Sequence, residues 1–422
     1  MISTEADIRD SIYYNVGSTI YKKGQGIHVY DTEGNQYLDC AAGTFNLSLG
    51  YGHHEVLESV RKQADELVHA TSSCQNEPVN SLVRQLIDLS PDNLTRVHPK
   101  VCSGSTANEG AIKIAQHFTG KRDVITLFRS HLGQSMMMTS LSGNAFRKKP
   151  FTNLFPGGLH VPDPYCHRCF YKQKYDSCGL LCVEKIHDFI EYSSSGNVAC
   201  MIVEPISGNG GNIIPPPGYF QALKKLCDEQ NIVLIFDEIQ TGIGRTGEMF
   251  AADYFDVQPN MITVGKGLGG AGFQIAAILT EEKMMGLEGH HHSFTFGANV
   301  LAAAAASKTL EIISQPKFLN NVKVVGNYIV SRLYKMKEKY FFIDDVRGVG
   351  LMIGVEISDQ DGNPDVNKTN QISECAKKHG LLIRTSRYGY GNVFKIRPPL
   401  IITSTEAEWM CDQLEIVLQE VS

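Results

Sequence analysis

Three short apolar runs, residues 198–203 (VACMIV), 232–236 (IVLIF) and 261–264 (MITV), constrain this chain more than any other feature. From about residue 50 to 310, such runs alternate with amphipathic patterns of helical period. That alternation predicts βαβ units and a mainly parallel sheet covered by helices. Phe220, Leu223, Leu226 and Cys227 recur at helical spacing after Pro217-Gly218, which predicts a connecting helix with one buried face. The small residues 302–306 predict a helix that packs tightly against the sheet or another subunit. Each of the three runs gives way at once to polar or glycine-rich sequence. Functional side chains are therefore expected at the carboxyl ends of strands, where open α/β sheets bind ligands.

The flanks read differently. Residues 26–38 form a hairpin-like stretch with its turn at 31–35 (DTEGN), and beyond residue 311 the order reads helix, strand, helix, strand, helix. We expect a large domain over 50–310 and a smaller α+β domain built from residues 1–49 and 311–422. With 422 residues, 42% of them hydrophobic, the chain has the material for such a two-lobed core.

A formal charge of −6 without a Lys/Arg-rich run argues against nucleic acid or an anionic membrane as partner and favours a small molecule. The first seven residues are polar and acidic, unlike a signal peptide, and no run approaches the roughly 18 apolar residues of a membrane span. A cytoplasmic protein is the expectation. Seven of the eleven cysteines are scattered singly, as reduced, mostly buried small hydrophobes would be.

The chemistry is concentrated in residues 232–270, IVLIFDEIQTGIGRTGEMFAADYFDVQPNMITVGKGLGG. Asp237 ends one buried run and Lys266 follows the next between two glycines. An amine in a partly desolvated pocket has a lowered pKa and condenses with an aldehyde. A carboxylate on a neighbouring strand keeps a pyridine nitrogen protonated, so that the ring becomes an electron sink. Alone, Lys266 reads more readily as a loop lysine and Asp237 as an N-cap or ion-pair acid.

Taken together, DEIQTGIGRTG followed by GKGLGG resembles the signature of the class-III aminotransferases, pyridoxal-phosphate enzymes of fold type I, and the resemblance extends over nearly the whole chain. It implies an α/β large domain with a mainly parallel seven-stranded sheet, pyridoxal 5′-phosphate as cofactor, and Lys266 as its Schiff-base anchor. By the same resemblance Asp237 pairs with the pyridine nitrogen and Gln240 contacts the ring oxygen. Glu204 belongs to the cofactor-binding set. The segment 102–109 (CSGSTANE) matches the family's turn opening a helix, where the backbone amides of Gly104 and Ser105 suit a phosphate. The segment 293–297 (SFTFG) matches a motif whose threonine, here Thr295, reaches the phosphate of the neighbouring subunit's cofactor, which implies a homodimer. Two half-reactions follow, with Lys266 as general acid and base, moving nitrogen from an amino donor to a carbonyl acceptor.

Several positions depart from the pattern. His131 stands where the family stacks a Phe or Tyr on the cofactor ring, and Gln134 where 4-aminobutyrate-type enzymes grip a distal carboxylate with arginine. Asn209 stands at the place of a glutamate and Lys395 at that of the arginine it pairs with. Lysine replaces the bidentate recognition of a carboxylate poorly. These changes point away from 4-aminobutyrate, ornithine and acetylornithine toward a neutral, polyhydroxylated or cationic acceptor. A glutamate donor still needs a cation, for which Lys395, Arg397 and Arg387 are candidates.

PDPYCHRCFY, SHLGQS and KIRPPLIIT are most similar to aminotransferases of aminoglycoside antibiotic pathways, of the 6′-aminotransferase type, which aminate an oxidised sugar carbon. The alternatives are a lyase acting on aminoethyl phosphates or phosphonates, a transaminase of another non-carboxylate amine, or a catalytically inactive partner protein. Cys166, Cys169, Cys178 and Cys182 are spaced as ligands of zinc or an iron–sulfur cluster, with reduced thiols or a disulfide as the other reading. His290, His291 and His292 precede the Thr295 loop and read as interface or site-rim residues.

Overall fold

Seven strands form the central sheet of the computed structural model, which describes residues 17, 19–71, 73–152, 154–386 and 390–422. In spatial order they are Arg96–Val101, Ala276–Thr280, Met261–Val264, Val233–Asp237, Val198–Val203, Asp123–Leu127 and Gly158–Val161. The last five pair in parallel, and Ala276–Thr280 runs antiparallel to both its neighbours. Every residue of Val198–Val203, Val233–Asp237 and Met261–Val264 is buried, because helices cover both faces. Each such aliphatic side chain contributes about 1.5–3 kcal/mol relative to exposure.

The second apolar run begins one residue later than its sequence suggests and takes in Asp237. Asn231 adopts a left-handed φ of 51° and the Ile232 amide bonds back to Cys227, so the strand starts only after this turn. Helix Gly104–Thr119 begins at a reciprocal cap between Ser103 and Thr106 and stops at Gly120, whose φ of +66° is the left-handed conformation that terminates helices. Its inner face, including Ala107, Asn108, Ala111 and Ala115, is small enough to lie close on the sheet. Helix Tyr219–Glu229 buries Phe220, Leu223, Leu226 and Cys227, the four residues whose spacing predicts it. The alanine run falls within helix Val300–Ile313.

Two smaller sheets flank this one. In the first, Tyr21–Gln25, His28–Asp31 and Gln36–Asp39 pair antiparallel, and Leu381–Leu382 adds in parallel to Gln36–Asp39. The turn after Asp31 is held by its own carboxylate, which accepts from the amides of Glu33 and Asn35. The second contains Ile343–Val349, Met352–Ile357, Val393–Ile396 and Arg384–Thr385. The carboxy-terminal part thus holds more strands than its sequence pattern implies. Two of them are only two residues long and show no period, and two form a hairpin whose turn contains Gly350 at φ +53°. Among the described residues no helix is long and apolar enough to cross a membrane. The acidic start read against a signal peptide lies outside the described residues.

Candidate active site

The carboxyl ends of three adjacent parallel strands bring Glu204, Asp237 and Lys266 together. Asp237 is fully buried; its Oδ2 accepts from Asn108 Nδ2 at 2.7 Å and its Oδ1 from the Ile239 amide at 3.1 Å. Burial raises its pKa to about 6 against the Asn108 hydrogen bond and the Lys266 charge, so it is mainly ionised at neutral pH. Burial likewise lowers Lys266 to about 8, opposed by Asp237 and Glu204. Lys266 opens a 3₁₀ turn with a left-handed φ of 40°. A non-glycine residue held there costs on the order of 1–3 kcal/mol, a strain that marks functional positions.

Glu204 accepts from the His131 and Gly208 amides, both at 2.9 Å, while burial and the Asp237 charge push it up to about 8. His131 is lowered to about 3 by burial and by the Lys266 and Arg147 charges, so its ring is a neutral imidazole. Gln240 is packed so closely that a Cβ at Gly208 would lie 2.3 Å from its Oε1. A Cβ at Gly133 would lie 2.4 Å from Ser105 Oγ, and its φ of +147° adds a second reason for glycine.

These residues fit pyridoxal phosphate. The Gly104 and Ser105 amides, first in their helix, have no protein acceptor among the described residues, while the next two are taken by Ser103. Two free N–H groups at a helix start suit a phosphate. Asp237 is a buried anion suited to a pyridine N–H, Lys266 a desolvated amine suited to an aldehyde, and neutral His131 a flat ring suited to stacking.

On the substrate side, Lys395 and Arg397 lie two residues apart, at 3% and 1% exposure. Burial lowers both pKa values strongly, helped by the Arg397 and Arg384 charges at Lys395 and by the Arg245 and Arg384 charges at Arg397, and neither forms an ion pair with a carboxylate among the described residues. Arg397 Nη1 reaches only neutral oxygens, of Asn212 at 3.3 Å and Gln240 at 3.4 Å, and its Nε has no partner. Its guanidinium lies 3.4 Å from the Phe45 ring centre, and Lys266 Nζ lies 5.6 Å from the same ring.

The other expected residues are more dispersed. Asn209 is half-buried, Gln134 is exposed with its amide donating to Ser105 Oγ, and Thr295 is exposed on a loop beside exposed Phe296. Arg387 lies outside the described residues. His292 is buried and bonds the Thr106 carbonyl, whereas His290 and His291 are exposed. All eleven cysteines are free, and no three of Cys166, Cys169, Cys178 and Cys182 bring their sulfurs within 4.8 Å of one another. The metal expectation gains no support from this arrangement: Cys166 and Cys169 bound one short turn, Cys178 closes a second and Cys182 lies on a third, and burial, with the neighbouring cysteines, raises Cys182 to about 12.

Sequence reasoning misses two parts of the site. Asn108 bonds Asp237, the Leu132 carbonyl and Thr263, a role detectable only as a polar residue on a helix's buried face. Phe45 comes from the amino-terminal segment, at a left-handed φ of 67°, and no local signal marks it.

Residues 13–418 match the family model for aminotransferase class-III. An acetylornithine aminotransferase of Methanothermobacter thermautotrophicus is 34% identical over 95% of this chain and 94% of its own length. An alanine/serine racemase of Pyrococcus horikoshii is also 34% identical, over 94% and 85%. The crystal structure of a PLP-bound amine transaminase from an uncultivated Pseudomonas species superposes with a TM-score of 0.90 at 26% identity, covering 96% of both chains.

Proposed function

The chain belongs to the class-III aminotransferases, and from that premise we propose that it transfers the amino group of an α-amino acid to the carbonyl carbon of an oxidised, polyhydroxylated ring compound. The observation that carries this reading is the buried Lys395 and Arg397 pair, two basic side chains without a carboxylate of their own to hold them charged. Unpaired buried charge is costly, and an incoming carboxylate of the donor offsets it. Gln134 and Asn209, both neutral, leave the acceptor without a second carboxylate clamp. The narrowest form of the proposal is an oxidised amino sugar of an aminoglycoside pathway, with L-glutamate as donor.

When bound, pyridoxal phosphate supplies an aldehyde that captures amines and a ring that withdraws electrons. Lys266 releases and takes up the proton that moves at the substrate's α-carbon, a role suited to an amine lowered to about 8. Asp237, kept anionic by Asn108, holds a proton at the ring nitrogen. His131, Gly104, Ser105 and Gln240 orient the cofactor. We further propose a homodimer in which the exposed Thr295 completes the partner's phosphate site; light scattering should give twice the chain mass.

The test is a half-reaction screen in which the aminated holoenzyme meets candidate carbonyl compounds and the visible absorption is followed. Oxidised amino sugars should restore the starting spectrum. If simple keto acids restore it and the sugars do not, the ring-acceptor reading fails. The racemases among the relatives favour a second reading, racemisation of the donor, which chiral chromatography of alanine, serine and leucine without an acceptor tests. Phosphate release from phosphoethanolamine would instead replace transfer by elimination.

A further inference from the structure

Beside the site lies a cavity of about 720 Å³ that none of the roles above uses. It borders the cofactor-stacking segment, since its wall residue Arg129 is two positions from His131 and would lie 3.1 Å from a Cβ at Gly210, next to Asn209. Another wall residue, Gly143, bonds through its amide to both oxygens of Ser130. The Arg147 charge, on the same short helix as Phe146, acts on His131.

Three features of the lining point to a ligand. Phe146, Phe170 and Tyr390 are each about half exposed on this one cavity, and exposed aromatics gathered in one place mark binding surfaces. Asn144 is 7% exposed, lines the cavity, and its side-chain amide has no hydrogen-bond partner among the described residues. Four cations face one carboxylate in a chain whose total charge is −6.

The cations divide by commitment. Arg129 is held by Asp163 at 2.6 Å, and Arg168 by Glu356 at 2.5 Å and Asp344 at 3.0 Å; their guanidiniums lie 5.6 and 5.7 Å from the Tyr390 ring centre and hold that ring in place. Lys149 and Lys172 have no carboxylate within 4.0 Å among the described residues and are the charges left for a ligand.

We infer that this cavity is a second subsite, which receives a ring-bearing anionic portion of the acceptor: the ring lies among the aromatic walls, a polar edge meets the Asn144 amide, and the acid group meets Lys149 and Lys172. The inference rests on the transaminase reading but runs against its aminoglycoside form, because it selects an acid-bearing ring over a polycationic one. An aminoglycoside carrying several ammonium groups would meet like charge here.

Three aldehydes of matched size test the charge preference. Para-carboxybenzaldehyde, para-(hydroxymethyl)benzaldehyde and para-(trimethylammonio)benzaldehyde are mixed with the aminated holoenzyme, for the wild type and for the Lys149→Gln/Lys172→Gln double variant. Intrinsic differences in carbonyl reactivity cancel in the ratio of wild type to variant. At low salt the double variant should lose about tenfold in rate with the anionic probe, change less than twofold with the neutral one, and gain with the cationic one; the contrast should shrink at high salt. An unchanged charge preference in the double variant overturns the inference, as does a wild type that accepts pyruvate but none of the three aldehydes. A wild type that fails with 2-oxoglutarate, with oxidised amino sugars and with every aldehyde overturns the transaminase reading itself.

Discussion

Replacing Glu356 by Gln should loosen the contact between residues 165–168 and the sheet containing Met352–Ile357, and its size follows from the charges involved. The Glu356 side chain has no exposed surface. It accepts from Arg168 Nε at 2.5 Å, Arg347 Nη1 at 2.9 Å and the Tyr165 hydroxyl, and these partners lower its pKa from 4.5 to about 2 despite burial. A shift of about 2.5 pH units is worth roughly 3 kcal/mol, within the range of about 3–5 kcal/mol for losing one member of a buried pair. Spread over the unfolding entropy of 422 residues, near 0.9 kcal/mol/K, that is a melting-temperature decrease of roughly 3–4 °C. Because the folded pKa is depressed, this contribution is fully present above pH 4.5 and is lost as pH falls through about 2. The difference between wild type and Glu356→Gln should therefore stay constant from pH 8 to 5 and narrow only in stronger acid. Thermal melts at fixed scan rate measure the shift, and limited proteolysis reports cleavage in residues 166–182. A change below 1 °C with unaltered cleavage would refute the reasoning.

The remaining expectations concern the site. Capture of pyridoxal phosphate by the apo-protein needs the uncharged Lys266, so its rate should rise about tenfold per pH unit below about 8 and level off above, as stopped-flow absorbance would show. Asn108→Ala removes a hydrogen bond to a charged group worth roughly 1.5–3 kcal/mol; kcat should fall about 10- to 100-fold, and the acid limb of the pH profile should move up from about 6. Gly208→Ala should displace Gln240 and shift the visible spectrum of the holoenzyme while leaving the far-ultraviolet circular dichroism unchanged.

Much of this was legible because the chemistry sits at strand ends. Asp237 and Lys266 follow apolar runs whose burial is complete, and sheet order alone makes them neighbours. The residues that tune them were less visible, because Asn108 and Phe45 act across 129 and 221 positions of sequence respectively. The charge of the neighbouring cavity was hidden for the same reason. Lys149, Lys172 and Tyr390 carry no common motif and meet only after folding. The cysteine spacing suggests a metal, but spacing does not specify how three short turns place the four sulfurs.

The parallel pairing of Leu381–Leu382 with Gln36–Asp39 sets a condition on biosynthesis. About 340 residues must be made after the first strand before its partner exists. At roughly 5–20 residues per second, the strand edge at Gln36–Asp39 waits on the order of 20–70 s on the ribosome. An unpaired edge is a template for other chains, so the nascent amino-terminal hairpin is the segment a chaperone would have most reason to hold.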